Sequence, residues 1–390
     1  MRTFMFRCVA ALAAAWGMFP AGAQEYLDLT ETGASSYSEQ IATEITLRKY
    51  GAGTITMNRN TGNGQVIAGL QVCEGTLILT GANAWGGNEG YFGAMTGTME
   101  VQTGAVLQTA ASNGAINRET PVWLNGGTLN VYADCFVNNI RLTGGTIQDN
   151  KGSARGTQTN RWRACTGVDI TVDGGAQSLI AADLCLVVWN QGSDPTFVNF
   201  NVDSTGDASG IDLNFTGAIY DHTGGYGGNY LVKQGAGVMQ LSYGENAWVG
   251  GSEVQDGTLQ FTGANSLGTG GVTMNGGTLK SLAPSGSNVR NAVTMAAAGG
   301  TISANSGDAT TFASLAGSGA LQVFGSVGFA GNGGYTGTVT VGDTANVATL
   351  ALSNGAAGTF SAVLNAGRNP RSARPKTCRP RHSTGRESRH

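Results

Sequence analysis

Short runs of alternating apolar and polar residues recur along most of the chain. Thr76-Leu77-Ile78-Leu79, Val272-Thr273-Met274 and Leu321-Gln322-Val323-Phe324 each send one set of side chains to a single face. That period of two is the signature of a half-buried β-strand. Asn-Gly, Gly-Gly and Asp-Gly pairs stand between the runs and turn the chain. The runs also resemble one another. Gly-Gly-Thr followed by Leu or Ile occurs at Gly126–Leu129, Gly144–Ile147, Gly276–Leu279 and Gly299–Ile302, and Asp256–Leu259 carries Asp in place of the first Gly. Thr128 is thus followed by Thr146, and Thr258 by Thr278 and then Thr301. Each step is about 20 residues, the length of one coil in a β-solenoid.

A longer unit contains these runs. Leu231–Gln260 reads as strand, turn and strand, and Leu47–Leu79 is a looser copy. LRKYGAGTITM (Leu47–Met57) aligns without a gap on LVKQGAGVMQL (Leu231–Leu241), and each is followed by Gly-Thr-Leu, at Gly75–Leu77 and Gly257–Leu259. One such coil cannot bury its own apolar side chains, whereas stacked coils place Leu over Leu and Thr over Thr. A β-sandwich would show strands every 8–12 residues with less internal likeness. The pattern predicts an all-β chain: a single elongated domain, a right-handed parallel β-helix (β-solenoid) over residues 47–364, preceded at 24–46 by an opening strand or N-terminal cap.

Composition agrees. Gly accounts for 63 of 390 residues, as many turns with φ > 0 require. Between residues 24 and 365 the only prolines are Pro121, Pro195 and Pro284, and a continuous ladder tolerates few. The net charge of −3 conceals three regions. Residues 1–23 carry Arg2 and Arg7 around the apolar run Cys8–Met18, and Ala21-Gly22-Ala23 fits a small-residue cleavage site before Gln24. This predicts an export signal cut between Ala23 and Gln24. Residues 365–390 hold eight basic residues against Glu387 alone and read as a basic disordered tail, possibly out of frame with the repeats. The remaining body has 12 basic and 24 acidic residues, an acidic balance that argues against nucleic acid as a partner.

Leu231, Lys233, Gly235, Gly237, Val238, Leu241, Asn246, Trp248, Gly250, Gly251, Val254, Gly257, Thr258 and Leu259 together resemble the autotransporter-associated β-strand repeat, also called the passenger-associated transport repeat. Leu47, Lys49, Gly51, Gly53, Ile55, Met57, Gly75, Thr76 and Leu77 form a second match, and Asn58–Ala68 departs from the pattern. The resemblance implies an exported β-helical passenger, displayed at the outer membrane or cell surface by a C-terminal β-barrel translocator. The strand alternation of such a barrel is not found in this chain.

Candidate chemistry is sparse. His222 is the only histidine of the body and no Cys-x-x-Cys occurs, so no metal site and no cofactor is expected. Asp169 and Asp173, four apart on a predicted strand, share a face. Asp203, Asp207 and Asp212 cluster in NVDSTGDASGIDLN. Asp169, Asp173, Asp203 and Asp207 are the catalytic candidates if the chain is a β-helical polysaccharide lyase or glycoside hydrolase; turn formation is the simpler reading of such Asp residues. Cys165 and Cys185 stand one coil length apart, about 20 residues, and form the disulfide candidate. Trp85, Trp123, Trp162, Trp189 and Trp248, with Tyr91, Tyr226 and Tyr230, could offer a glycan a binding face, although repeat position accounts for them better. The expected function is non-enzymatic: a secreted or surface passenger making adhesive contacts with an unknown surface ligand or glycan. The alternatives are the polysaccharide-active enzyme and a truncated, non-functional autotransporter fragment.

Overall fold

The computed structural model describes residues 25–364 apart from segments 38–44, 58–66, 81–96, 111–115, 117–118, 133–134, 151–154, 158–161, 165–166, 187–196, 223–227, 306–308, 344–347 and 353–360. The expected signal with its Ala23/Gln24 cleavage site, the basic tail, Trp85, Tyr91, Cys165, Trp189 and Tyr226 lie outside the described residues.

The described chain is all β and contains no helix. It winds as a β-solenoid whose strands form one 29-stranded system and a smaller 4-stranded sheet. The large system has two faces that the chain visits alternately. The first face stacks Ile45–Tyr50, Gly69–Val72, Met99–Gln102 and Val122–Asn125 in parallel, and continues to Ala348–Leu352. The second stacks Thr54–Met57, Thr76–Leu79, Val106–Thr109 and Thr128–Val131, and continues to Ser361–Leu364. Leu321–Asn332 turns a corner and serves both faces. Such all-parallel pairing between successive turns of one chain is incompatible with a sandwich of antiparallel strands.

Register follows the repeat. Thr258 pairs with Thr278 and Thr278 with Thr301, as the Gly-Thr-Leu spacing requires. Alternate residues point inward and form apolar columns. One runs Ile55, Leu77, Leu107, Leu129, Ile147, and every member is at most 2% exposed. Because side chains alternate with period two, a slip of one residue would turn such a column out to water, which fixes the register.

Two features depart from the sequence expectation. Glu25–Thr30 and Ala34–Tyr37, in the segment read as an opening strand or cap, pair in register with Ile45–Tyr50 and Thr54–Met57, so the stack itself begins before Leu47. The coil length is also not constant. In the middle, Asn139, Asp169 and Asn199 are successive partners, so a coil here is longer than the one from Thr258 to Thr278. The extra chain builds the third sheet, Cys135–Phe136, Trp162–Ala164, Leu184–Leu186 and Ile219–Asp221.

The glycines of the motif are explained by the contact between successive turns. Gly75 has φ +63°, and a Cβ on it would lie 2.5 Å from the carbonyl oxygens of both Gly51 and Gly53. Gly257, at φ +57°, sits against the carbonyls of Gly235 and Gly237 in the same way. Gly244, by contrast, has open space around it. Gly257→Ala should therefore lower the unfolding free energy by more than ~1 kcal/mol, while Gly244→Ala leaves it nearly unchanged. Comparing the two denaturant midpoints checks this, and equal effects would contradict the stacked-turn account.

Candidate functional site

Lys49 and Lys233 occupy equivalent positions of the two motif copies, and both side chains point into the core. Each is 0% exposed and stands in an inward column, Lys49 between Leu29 and Val72, Lys233 between Phe200 and Val254. A bare ammonium in such a column would be prohibitively costly. The long stem instead carries Nζ to the turn, where carbonyls converge. Lys49 Nζ donates to Gly51 O, to Gly53 O at 2.6 Å and to Glu74 O at 2.8 Å. Lys233 Nζ donates to Gln234 O at 2.7 Å, Gly235 O at 2.6 Å and Asp256 O at 3.2 Å. Both lysines thus bind the turn of their own coil to the turn of the next. Burial pushes the Lys233 ammonium down to about 8, against the opposing pull of Asp256, Asp212 and Asp203, and lowers Lys49 too.

Asn246 and Trp248, the other polar and aromatic positions of the motif, are equally structural. Asn246 Oδ1 accepts from Ile219 N at 2.7 Å, and its Nδ2 donates to Ser266 O at 2.7 Å, so one amide joins three coils. The Trp248 indole is fully buried and donates to Gly251 O at 2.9 Å.

A buried polar cluster lies beside the third sheet, and residue patterns gave no sign of it. The Asp149 and Asp183 side chains are both 0% exposed and share Arg155, at 2.9 and 3.2 Å. Asp183 also accepts from Gly156 N and Ala218 N, at 2.8 and 2.9 Å. Asp149 Oδ2 accepts from Asp183 N at 2.9 Å. One guanidinium shared by both carboxylates, with backbone N–H groups on the other oxygens, is what makes two buried carboxylates tolerable. The cluster ties residues 155–156, between two strands, to three coils.

The sequence-predicted carboxylates fall in two places. Asp169 and Asp173 share the outward face of Val168–Asp173, as expected, but four residues along a strand separates them by about 13 Å. Paired glycosidase carboxyls stand roughly 5–9.5 Å apart. Asp173 is engaged by Arg141 Nε at 2.8 Å and Thr143 Oγ1 at 2.6 Å. Asp169 accepts from Asn199 Nδ2 at 2.8 Å. Asp203, Asp207 and Asp212 lie in the turns after Phe197–Val202. Asp212 is buried and accepts from Thr205 N at 2.6 Å and Val238 N at 2.6 Å. Asp207 accepts from Ser209 Oγ and N at 2.6 and 2.8 Å, bonds that hold its carboxyl below the ordinary value. These two organise turns, and Asp203 is exposed at the start of the same segment. Among the described residues no group of three metal-ligating side chains assembles.

The aromatic residues divide similarly. Trp162 is buried and donates to Val137 O at 2.8 Å. Trp123 lies half-buried on the first face, covered by the Arg141 guanidinium 4.6 Å from its ring centre. Phe197 and Tyr230 stack on the same face at 5.8 Å. Cys185 is paired in register with Arg163, which precedes Cys165 in the chain; the local coil is slightly longer than equal spacing of the two cysteines would need.

Neither a scan against protein-family models nor searches of curated proteins and of solved structures returned a match.

Two outcomes are expected. The unfolded lysine titrates near 10.5 and folded Lys233 near 8, so between these values the unfolded chain binds a proton that the folded chain lacks. Stability from this group rises with pH across that window, and the gain is gone once pH has fallen below the folded value. The stability difference between wild type and Lys233→Met should move in favour of wild type from pH 8 to 10, by at most about 1.4 kcal/mol per pH unit; a flat difference in denaturant melts would contradict it. Asp183→Asn should cost roughly 3 kcal/mol or more, as breaking a buried ion network does, read as a lower urea midpoint.

Proposed function

We propose that the chain is an exported, passenger-like β-helix that acts at the cell surface or outside the cell by non-covalent contact, without catalysing a reaction. One observation carries the reading. The residues that resemble the autotransporter-associated repeat are the ones that define a coil here: Lys49 and Lys233 clamp equivalent turns, Gly75 and Gly257 pack against them, Asn246 joins neighbouring coils, and Trp248 braces its own turn. The same sequence pattern thus performs the same physical task twice, which supports kinship with a repeat family over chance composition. The apolar run Cys8–Met18 with its basic flank supports export. Asp173 and Asp207 are engaged in structural hydrogen bonds, and Asp169 stands too far from Asp173 to act with it as a pair, which favours the non-enzymatic reading. Adhesion is the use such a long, rigid, loop-bearing surface serves best, and a β-barrel translocator would be its membrane partner.

Expression with its own N-terminus in a Gram-negative host should yield protein outside the cytoplasm that begins at Gln24 by N-terminal sequencing. Protein that stays cytoplasmic with Met1 intact would overturn the export reading. Incubation of the purified chain with a glycan panel should release no product. Release abolished by Asp169→Asn or Asp207→Asn would restore the enzyme.

A further inference from the structure

We infer that Phe197, Tyr230, Asp169 and Asn199 form a subsite for one pyranose ring of a neutral, hydroxyl-rich glycan. The inference needs only the fold, so it stands or falls apart from the display reading. Phe197 and Tyr230 are in-register partners on adjacent coils, with rings 5.8 Å apart and inclined by 27°. Glycine flanks this row on both sides. Val168 pairs with Val198, which sets Gly167 beside Phe197. Leu231 pairs with Ser252, which sets Gly251 beside Tyr230. Gly167 is exposed at φ +78°, and a Cβ built on it would meet nothing within 4 Å. Gly167 therefore supplies no side chain to the aromatic row, and Phe197 is 44% exposed.

The polar groups stand where a ring stacked on Phe197 would need them. Asp169 lies in the same coil as Gly167, two residues further on the same outward face, about 7 Å along the strand. Asn199 stands beside Asp169 in the coil of Phe197 and donates Nδ2 to Asp169 Oδ1 at 2.8 Å. Among the described residues no protein donor reaches Asp169 Oδ2 or Asn199 Oδ1, and no basic side chain pairs with Asp169. Asp169 Oδ2 and Asn199 Oδ1 are open acceptors, and Asn199 Nδ2 keeps a second N–H to donate.

A pyranose presents C–H groups on one face and hydroxyl donors around its rim. Coils are spaced by about 4.8 Å, close to the distance at which an aliphatic face rests on an aromatic ring. A sugar in the layer of Gly167 would thus stack on Phe197 and donate hydroxyls to Asp169 and Asn199. A uronic or sulfated sugar would instead meet the Asp169 charge. Two near-parallel rings make a platform for a flat face, whereas quaternary ammonium is held by aromatic walls on several sides.

The test is calorimetric titration of the full chain with cellohexaose, maltohexaose, xylohexaose and chitohexaose, and with hexagalacturonate and tetramethylammonium as contrasts. At least one neutral hexaose should bind. Phe197→Ala should weaken it about tenfold or more, the factor that loss of ~1.4 kcal/mol of stacking and burial corresponds to, with an unchanged melting temperature. Gly167→Asn, an exchange that left-handed backbone tolerates, should weaken binding by covering the same ring, and it decides the matter if Phe197→Ala fails to fold. Asp169→Asn should weaken binding without moving the melting temperature. Absence of binding by all four neutral hexaoses, indifference to Phe197→Ala and Gly167→Asn, or tighter binding of either contrast ligand would overturn the assignment.

Discussion

The fold depends on how closely the turns of successive coils approach at the motif positions. Where Gly257 meets Gly235 and Gly237, and where Gly75 meets Gly51 and Gly53, a single Cβ has no room. Close approach brings carbonyls of two turns together, and backbone donors reach only some of them: Thr76 N donates to Gly53 O and Thr258 N to Gly237 O, each at 3.1 Å. Acceptors left without a donor are costly when buried. The lysine answers this with an ammonium at the end of an aliphatic stem, which fills the column and satisfies three carbonyls at once. Glycine and lysine are therefore two halves of one solution, and a copy of the motif needs both.

This constraint is local, and the rest of the coil is free to vary. One coil runs from Thr258 to Thr278, whereas the longer circuit in the middle runs from Asp169 to Asn199. The longer coils add a third sheet and the buried Asp149–Arg155–Asp183 network, which ties loop backbone to the stack. The same region carries the outward row of Gly167, Phe197 and Tyr230. Rigid columns thus hold a region of longer coils, and segments carried on a rigid scaffold are where proteins commonly place their contacts.

Much of the architecture could be read in the sequence because period-two alternation and recurrent Gly-Thr-Leu report directly on strand and coil. The Thr258–Thr278–Thr301 column is the clearest case. What could not be read depends on distance across coils. Cys185 stands in register with Arg163, a pairing that the average coil length does not yield, and Cys165 lies outside the described residues. Glu25–Thr30 lacks the glycines of later coils, so its place in the stack was hidden. Asp149, Arg155 and Asp183 have no fixed spacing, and only the three-dimensional path unites them. Asp169 and Asp173 do share a face as their spacing requires, yet the rise of a strand keeps them apart. Lys233 could be recognised as a motif position, but its inward direction followed from register alone.

The central claim is parallel, in-register stacking of coils at the motif. Spin labels on Thr258→Cys and Thr278→Cys test it most directly, read as continuous-wave spectra against the two singly labelled proteins. Partners one coil apart lie about 4.8 Å from each other along the stack, so the account predicts strong dipolar broadening in the doubly labelled chain. A spectrum equal to the sum of the single-label spectra would place the two threonines far apart and contradict the solenoid.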